Sequence, residues 1–101
     1  PKQLDLGLLA EIREALDCNI SLHGGSGTPV HFYTEAAQMG VSKININSDM
    51  RIAFRRGLER ALKQDPNEYA VIKLMDKVKD QVQQVVEDKI AAFGSANKAV
   101  I

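Results

Sequence analysis

Two stretches of this 101-residue sequence alternate apolar and polar residues, and each leads directly into a helix-period pattern. Few folds are open to a chain whose strands are each followed by a helix. Ile20-Ser21-Leu22-His23 is too short for a helix and alternates as a strand does. Val41 to Asn47 alternates again, Val41 leading in, with Ile44 and Ile46 on one side and Lys43, Asn45 and Asn47 on the other. Leu6, Leu9, Ile12, Arg13 and Leu16 fall at three- and four-residue steps, which predicts an amphipathic helix with Asp5 as its N-cap. Thr28-Pro29 predicts an N-cap with proline at the first helical position, opening a helix that Gly40 closes. Ser48-Asp49 caps a third helix, through about Lys63, with Ile52, Ala53, Leu58, Ala61 and Leu62 on its apolar side and Arg51, Arg55, Arg56 and Arg60 making the rest basic. Asp65-Pro66-Asn67 ends it. From Asn67 to Phe93, 27 residues, the helical step continues through Val71, Leu74, Met75, Val78, Val82, Val85, Val86 and Ile90, which predicts one long amphipathic helix.

The order helix, strand, helix, strand, helix predicts an α/β fold of parallel βα units with the two strands as neighbours. Two strands are too few, because a parallel sheet needs further strands beside it and both faces covered. The chain is therefore expected to be the C-terminal part of a larger α/β fold. The long helix agrees: no core inside the chain matches its stripe, so it is expected to pack on something outside the chain or on another subunit. The tail GSANKAVI is small and polar until its last two residues, which predicts a mobile or draped terminus.

Lys and Arg number 13, as do Asp and Glu, so the formal net charge is zero. Binding nucleic acid requires surplus positive charge to neutralise phosphates, and no nucleic-acid partner is expected. No apolar run approaches the ~20 residues of a membrane span, and PKQLDLGLL lacks the basic-then-apolar layout of a signal peptide. No membrane partner is expected. Cys18 is the single cysteine, so nothing suggests an oxidising compartment, and a cytoplasmic location is expected.

Parity sends Ile20 and Leu22 to one face of the first strand and Ser21 and His23 to the other. In both strands the second face turns polar toward the C-terminal end, where parallel α/β folds bind their ligands. His23, Asn45 and Asn47 are thus expected to share a site. The loop Gly24-Gly25-Ser26-Gly27 leads from His23 to a helix N-terminus, where free N–H groups and the helix dipole favour an anion and glycines let it approach the backbone. Ser26 and Ser48 add hydroxyls. Two adjacent strand-to-helix loops aimed at one anion describe the phosphate site of a (β/α)8 barrel; a doubly wound sheet supplies a similar one. Each feature alone has a plainer reading: the glycine loop as a turn, His23 as a hydrogen-bonded core residue, the asparagines as edge-strand polar groups, the arginine-rich helix as a solvated face. Their convergence on one strand end favours a site. His31, near the first turn of the next helix, reads as ordinary surface, and Cys18 as a small buried residue.

With those residues in hand, the sequence closely resembles the C-terminal third of class II fructose-1,6-bisphosphate aldolases, over nearly all its length. LHGGSGTP at 22–29, GVSKININSD at 40–49 with the MRIAF that follows, and FGSANK at 93–98 carry the resemblance. It implies a (β/α)8 TIM barrel to which this chain contributes the last two strands, their helices and a long C-terminal helix. His23 is implied as one of three histidine ligands of a catalytic Zn²⁺, a count that leaves positions open for substrate oxygens; a monovalent cation is left open. Gly24, Gly25 and Ser26 are implied to hold the phosphate of dihydroxyacetone phosphate, helped by Ile46, Asn47 and Ser48. Asn45 is implied as the catalytic residue that hydrogen-bonds the enediolate region of the substrate. Some members carry Asp-Thr where this sequence has Asn47-Ser48. In several relatives an arginine on the final helix reaches across the dimer to the second phosphate of the substrate. Lys89 stands at the matching position, with the charge but without the bidentate fork.

The family's other two zinc histidines and its catalytic acid lie on earlier strands, outside this chain, so the chain alone is expected to be inactive. The activity implied for the whole is metal-dependent aldol cleavage of fructose 1,6-bisphosphate to dihydroxyacetone phosphate and glyceraldehyde 3-phosphate, a lyase reaction of glycolysis and gluconeogenesis. A homodimer or homotetramer joined through the C-terminal helix is implied with it. Tagatose 1,6-bisphosphate is the alternative substrate. From a different class, the chain is read as a non-catalytic phosphate-binding or oligomerisation fragment.

Overall fold

The computed structural model describes residues 2–99. Its elements follow the predicted order: α1 (Leu6–Ala15), β1 (Ile20–Leu22), α2 (Val30–Gln38), β2 (Val41–Ile44), α3 (Ser48–Gln64) and α4 (Val71–Ala92). Asp5 caps α1 as its position predicts, its carboxylate accepting the Leu8 N–H at 2.9 Å. Between α1 and β1 the chain runs over the surface, and Cys18, expected buried, is exposed there. Its carbonyl accepts a hydrogen bond from the Arg13 guanidinium at 3.3 Å, so the backbone is satisfied without burial of the thiol.

β1 and β2 are parallel neighbours. Ile20 pairs with Val41, Ser21 with Lys43 and Leu22 with Ile44, so β2 carries one extra residue, Ser42. That bulge settles a conflict of parity. By strict alternation Val41 would share a face with Lys43; the extra residue returns it to the face of Ile44. Val41 is buried there with Leu9 of α1 and Ala36 of α2, and Leu4, Leu6, Ile20, Leu22, Met39 and Ile44 pack around them.

The starts of α2 and α4 both differ from prediction. α2 begins at Val30 because Pro29, at ψ 144°, is still extended, so proline takes the cap position in place of Thr28. The Thr28 N–H is already committed to Gly25 O at 3.2 Å, which carries the loop one residue further. α4 has 22 residues where the pattern predicts 27. Residues 67–70 form a turn instead: Glu68 N–H donates to Asp65 O at 3.1 Å, and the Glu68 carboxylate accepts the Ala70 N–H at 3.0 Å.

The α4 stripe was expected to pack outside the chain, yet much of it finds a partner within. Val78 is buried against α3, where Gly57 and Ala61 present a surface low enough for close approach. A Cβ on Gly57 would lie 2.9 Å from Gln81 Cγ and 3.4 Å from Val78 Cα. Some apolar surface stays bare, Val71 at 68% and Ile72 at 78% exposed. The end of α4 is tied to α2 by the Thr34 hydroxyl, which donates to Ala92 O at 2.8 Å. Gly94, at φ 75°, lets Ser95 N–H close back on Ile90 O at 3.0 Å. Residues 95–98 continue as an exposed turn, with Lys98 N–H on Ser95 O, while Val100 and Ile101 of the predicted draped tail lie outside the described residues.

Two small cores therefore lie side by side in a plate of 58 × 38 × 18 Å. The radius of gyration is 17.3 Å, against ~13 Å for a compact domain of 100 residues. No helix among the described residues is long and apolar enough to cross a membrane.

Gly57 gives a stability test with a differential outcome. Gly57→Ala gains roughly 1 kcal/mol of helix propensity but brings its Cβ to 2.9 Å from Gln81 Cγ and 3.2 Å from Gln81 Cβ, so α4 must shift by a few tenths of an ångström and the variant is expected to be near neutral, gain and crowding offsetting each other. Gly57→Leu has no room against the Val78 backbone and is expected to cost about 2 kcal/mol through overpacking. Urea unfolding midpoints of the two variants check the contrast.

Candidate active site

Strand pairing continues past the last residues of β1 and β2. Asn45 N–H donates to Leu22 O at 2.8 Å, and Gly25 N–H donates to Asn45 O at 3.0 Å. The two chain segments leave the sheet still zipped together, which holds their side chains in register. On the polar face, the Asn45 amide nitrogen lies 2.8 Å from His23 Nδ1. The expected meeting of His23 and Asn45 is thus a direct contact.

Close backbone approach makes glycine obligatory at position 25. A Cβ there would sit 2.9 Å from Ile44 Cγ2 and 3.1 Å from both Asn45 O and Ile46 Cδ1. Ile46 is therefore the wall on which the loop rests. Gly24 at φ 64° and Gly27 at φ 77° lift the chain off that wall and turn it toward α2.

Ser26 and Asp49 then exchange caps across the site. The N–H groups of Asn47 and Asp49 both donate to Ser26 Oγ at 3.2 Å, so a serine from the glycine loop serves the start of α3. In return Asp49 Oδ2 accepts the Gly27 N–H at 3.3 Å. This exchange explains why the N-cap of α3 is Asn47, one residue before the predicted Ser48-Asp49, and why Asn47 makes no side-chain cap bond of its own. With both lone pairs of Ser26 Oγ occupied, its proton is left to donate.

The result is a cleft of about 390 Å³ bordered by Gly24, Ser26, Asn45, Ile46, Asn47 and Ser48. Among the described residues the N–H groups of Ser26 and Ser48 take no partner, and both residues line this cleft. Of the residues expected to bind substrate, Gly24, Ser26, Asn45, Ile46, Asn47 and Ser48 are thus brought together beside the N-terminus of α3, whereas Gly25 is buried beneath the loop with its N–H on Asn45 O, and Lys89 does not line this cleft. Lys2 joins them unannounced: its ammonium donates to Gly24 O and, at 3.0 Å, to Ser26 O. Nothing in the sequence points to it, because 22 residues separate Lys2 from Gly24.

Lys89 lies behind the loop. Its ammonium is 2.9 Å from Asp49 Oδ2, with the two side chains 21% and 24% exposed, and 4.8 Å from the centre of the Tyr33 ring. Burial alone pushes the Asp49 carboxyl up, but the hydrogen bonds from Lys89 and Gly27 and the Lys89 charge together hold it below the usual carboxylate range. Burial alone pushes Lys89 down; its bond to Asp49 and the neighbouring Tyr33 hydroxyl hold it above the usual lysine value. Tyr33, fully buried, donates its hydroxyl to Gly25 O. Asp49 and Tyr33 border the loop in ways that pattern reading missed, since the pattern makes Asp49 a helix cap and does not single out Tyr33.

His31 is exposed and stacks on Phe32, ring centroids 4.1 Å apart, outside the cleft. Among the described residues no three His, Cys, Asp or Glu side chains group to hold a metal. His23 is exposed, and among the described residues it is contacted at one ring nitrogen, Nδ1.

Comparison with known proteins shows which family the chain is similar to. The family model described as class-II fructose-bisphosphate aldolase matches residues 1–98. The sulfofructosephosphate aldolase of Alkalicoccus urumqiensis is 34% identical over 97 residues, which are 96% of this chain and 34% of that protein. The fructose-bisphosphate aldolase of Geobacillus stearothermophilus matches at the same 34% identity and the same coverage. The chain thus spans about a third of the length of the curated relatives it matches. Among solved structures, the crystal structure of the YdjI aldolase from Escherichia coli K12 superimposes with a TM-score of 0.80 at 28% identity, covering 97% of this chain and 36% of that one.

The Asp49–Lys89 pair makes stability depend on pH in a defined direction. A carboxylate held below its unfolded pKa stabilises the fold above that value, and the contribution is lost as pH falls through the folded pKa. A lysine held above its unfolded pKa stabilises below that value, and the contribution is lost as pH rises through its folded pKa. The pair is expected to contribute roughly 1 kcal/mol, in full between about pH 4 and pH 10. Thermal melts of wild type and Asp49→Asn should differ at pH 7 and converge in acid; a gap that persists in acid would show that charge is not the cause.

Proposed function

Because the chain belongs to the class-II fructose-bisphosphate aldolase family, we propose that it is the C-terminal part of a (β/α)8 barrel enzyme that cleaves fructose 1,6-bisphosphate in a metal-dependent aldol reaction. The observation that carries this reading is the meeting, at Asn45, of an imidazole and an anion-binding loop.

Breaking the C3–C4 bond of the ketose leaves an electron pair beside the C2 carbonyl, and Zn²⁺ when bound supplies the Lewis acid that stabilises the charge. His23 is one ligand. Asn45 occupies one of its ring nitrogens and leaves the other for the metal. A half-turn of the amide exchanges its oxygen and nitrogen, so that Oδ1 accepts from the ring N–H and fixes the tautomer. From the same position Asn45 hydrogen-bonds the substrate where charge develops.

Gly24, Gly25 and Ser26 wrap the phosphate on C1. The N–H groups of Ser26 and Ser48 and the Ser26 hydroxyl donate to it, Asn47 borders it, Ile46 supports the loop, and Lys2 adds positive charge. The phosphate lies one carbon from the C2 carbonyl, so the metal ligand and the loop must be neighbours in space. His23 and Gly24 meet this by adjacency in sequence. Gripping the phosphate positions the reacting carbons, which is how binding far from the broken bond speeds cleavage. The remaining ligands and the proton-transferring acid belong to the rest of the full-length enzyme.

A second reading has its own support. The sulfofructosephosphate aldolase is as similar to this chain as the fructose-bisphosphate aldolase. Their names share a phosphate and differ in the other anionic group, and the cleft built here suits the shared one.

In the full-length protein, release of triose phosphate from fructose 1,6-bisphosphate is expected to stop with a chelator and return with Zn²⁺; faster turnover of a sulfofructose phosphate favours the second reading. His23→Ala should remove most of the zinc, read by elemental analysis, while circular dichroism stays that of wild type. Unaltered zinc content refutes the ligand role. Asn45→Ala keeps the backbone ladder and should lower kcat about 100-fold, a larger factor than its loss of metal affinity. If only phosphate affinity falls, the assigned role of Asn45 is wrong.

A further inference from the structure

We propose that Lys89 is a positioning residue that shapes the phosphate loop from behind, through Asp49 and Tyr33. The inference rests on the assignment of that loop to the substrate phosphate. Three elements take part. From α4, the Lys89 ammonium lies 2.9 Å from Asp49 Oδ2 and donates to the Tyr33 hydroxyl at 3.5 Å. From the first turn of α3, Asp49 accepts the Gly27 N–H. From α2, Tyr33 donates to Gly25 O. Both residues flanking Ser26 are thereby held, and Ser26, between them, carries the N–H and hydroxyl that face the cleft. Tyr33 is itself fixed by the edge of Phe93 at 5.1 Å, and α2 by the Thr34 bond to Ala92 O, so the end of α4 braces the whole assembly.

Charge gives the arrangement a second purpose. A carboxylate at the rim of an anion site repels the anion it should help to bind. With the Lys89 ammonium in contact the pair is neutral, and Asp49 orients Gly27 without opposing phosphate. Removing Lys89 loosens the loop and exposes a bare negative charge beside it.

The experiment uses the full-length enzyme with inorganic phosphate as the probe, measured as a dissociation constant by calorimetry and as a competitive inhibition constant. Lys89→Met is expected to weaken phosphate about tenfold, equivalent to ~1.4 kcal/mol, and to raise KM for the phosphorylated substrate more than it lowers kcat. The preference for dihydroxyacetone phosphate over phosphate-free dihydroxyacetone should shrink by a similar factor. Lys89→Arg should restore most of each value. Tyr33→Phe keeps the ring and removes the hydroxyl that links Gly25 O to the Lys89 ammonium, and it should weaken phosphate about threefold, ~0.7 kcal/mol; it also carries the test if Lys89→Met does not fold. Melting temperatures that fall while phosphate affinity and KM stay at wild-type values overturn the proposal. Ser26→Ala separates the two levels. If it weakens phosphate and the Lys89 and Tyr33 variants do not, only the positioning role fails; if wild type binds no phosphate, the loop assignment fails and takes this inference with it.

Discussion

Two backbone hydrogen bonds, Asn45 N–H to Leu22 O and Gly25 N–H to Asn45 O, are the constraint on which the rest of this structure depends. They carry the parallel pairing beyond the strands into the loops. Side chains that would otherwise splay apart are held in register, so His23 and Asn45 touch and the glycine loop lies over the start of α3. The second bond brings the backbones at 25 and 45 close together, which the missing Cβ of Gly25 permits. Loops usually gain function at the cost of precision. Here the loop inherits the precision of the sheet.

The proposed anion site lies in a chain of zero net charge. Net charge describes the field far from the molecule, whereas the cleft is governed by groups within a few ångströms. Unpartnered N–H groups, the α3 dipole and Lys2 all contribute positive potential there. Asp49 would cancel part of it, and its pairing with Lys89 prevents that. The same pair links the last helix to the first turn of α3, so electrostatics and architecture meet in one contact.

Packing explains the shape. The first core forms where α1 and α2 cover one face of the strand pair, and the second where α4 lies on the low surface of α3 at Gly57 and Ala61. Neither is large, and the polar face of the two strands carries the site instead of a second helical layer. Parallel sheets are ordinarily covered on both faces. That arrangement suits a unit whose site is completed by neighbouring strands, as the proposed barrel would supply.

Local physics was readable from the sequence wherever a residue's role depends on near neighbours along the chain. The Asp5 cap, the element order, the parity of Ile20, Leu22 and Ile44, and the glycine loop after a strand ending in His23 all follow from periodicity and backbone preference. Where a residue answers to something distant, the pattern was silent or misleading. Ser42 bulges because Val41 must reach the core of α1 and α2; Asn47 caps α3 because Ser26 serves the N–H groups that Ser48 and Asp49 seemed placed to cap. Cys18 is exposed because Arg13 satisfies its carbonyl at the surface. Lys2 and Tyr33 meet the loop from 22 and 8 residues away along the chain, and Lys89, which the family resemblance placed at the substrate, meets Asp49 and Tyr33. By itself, then, the sequence determined which backbone elements form and which face of each is polar, since those are short-range properties of φ, ψ and side-chain spacing. Beyond the meeting of His23 and Asn45 that strand parity foretold, only the tertiary structure decided which polar groups meet, because hydrogen bonds and ion pairs depend on distances in space that no spacing along the chain encodes.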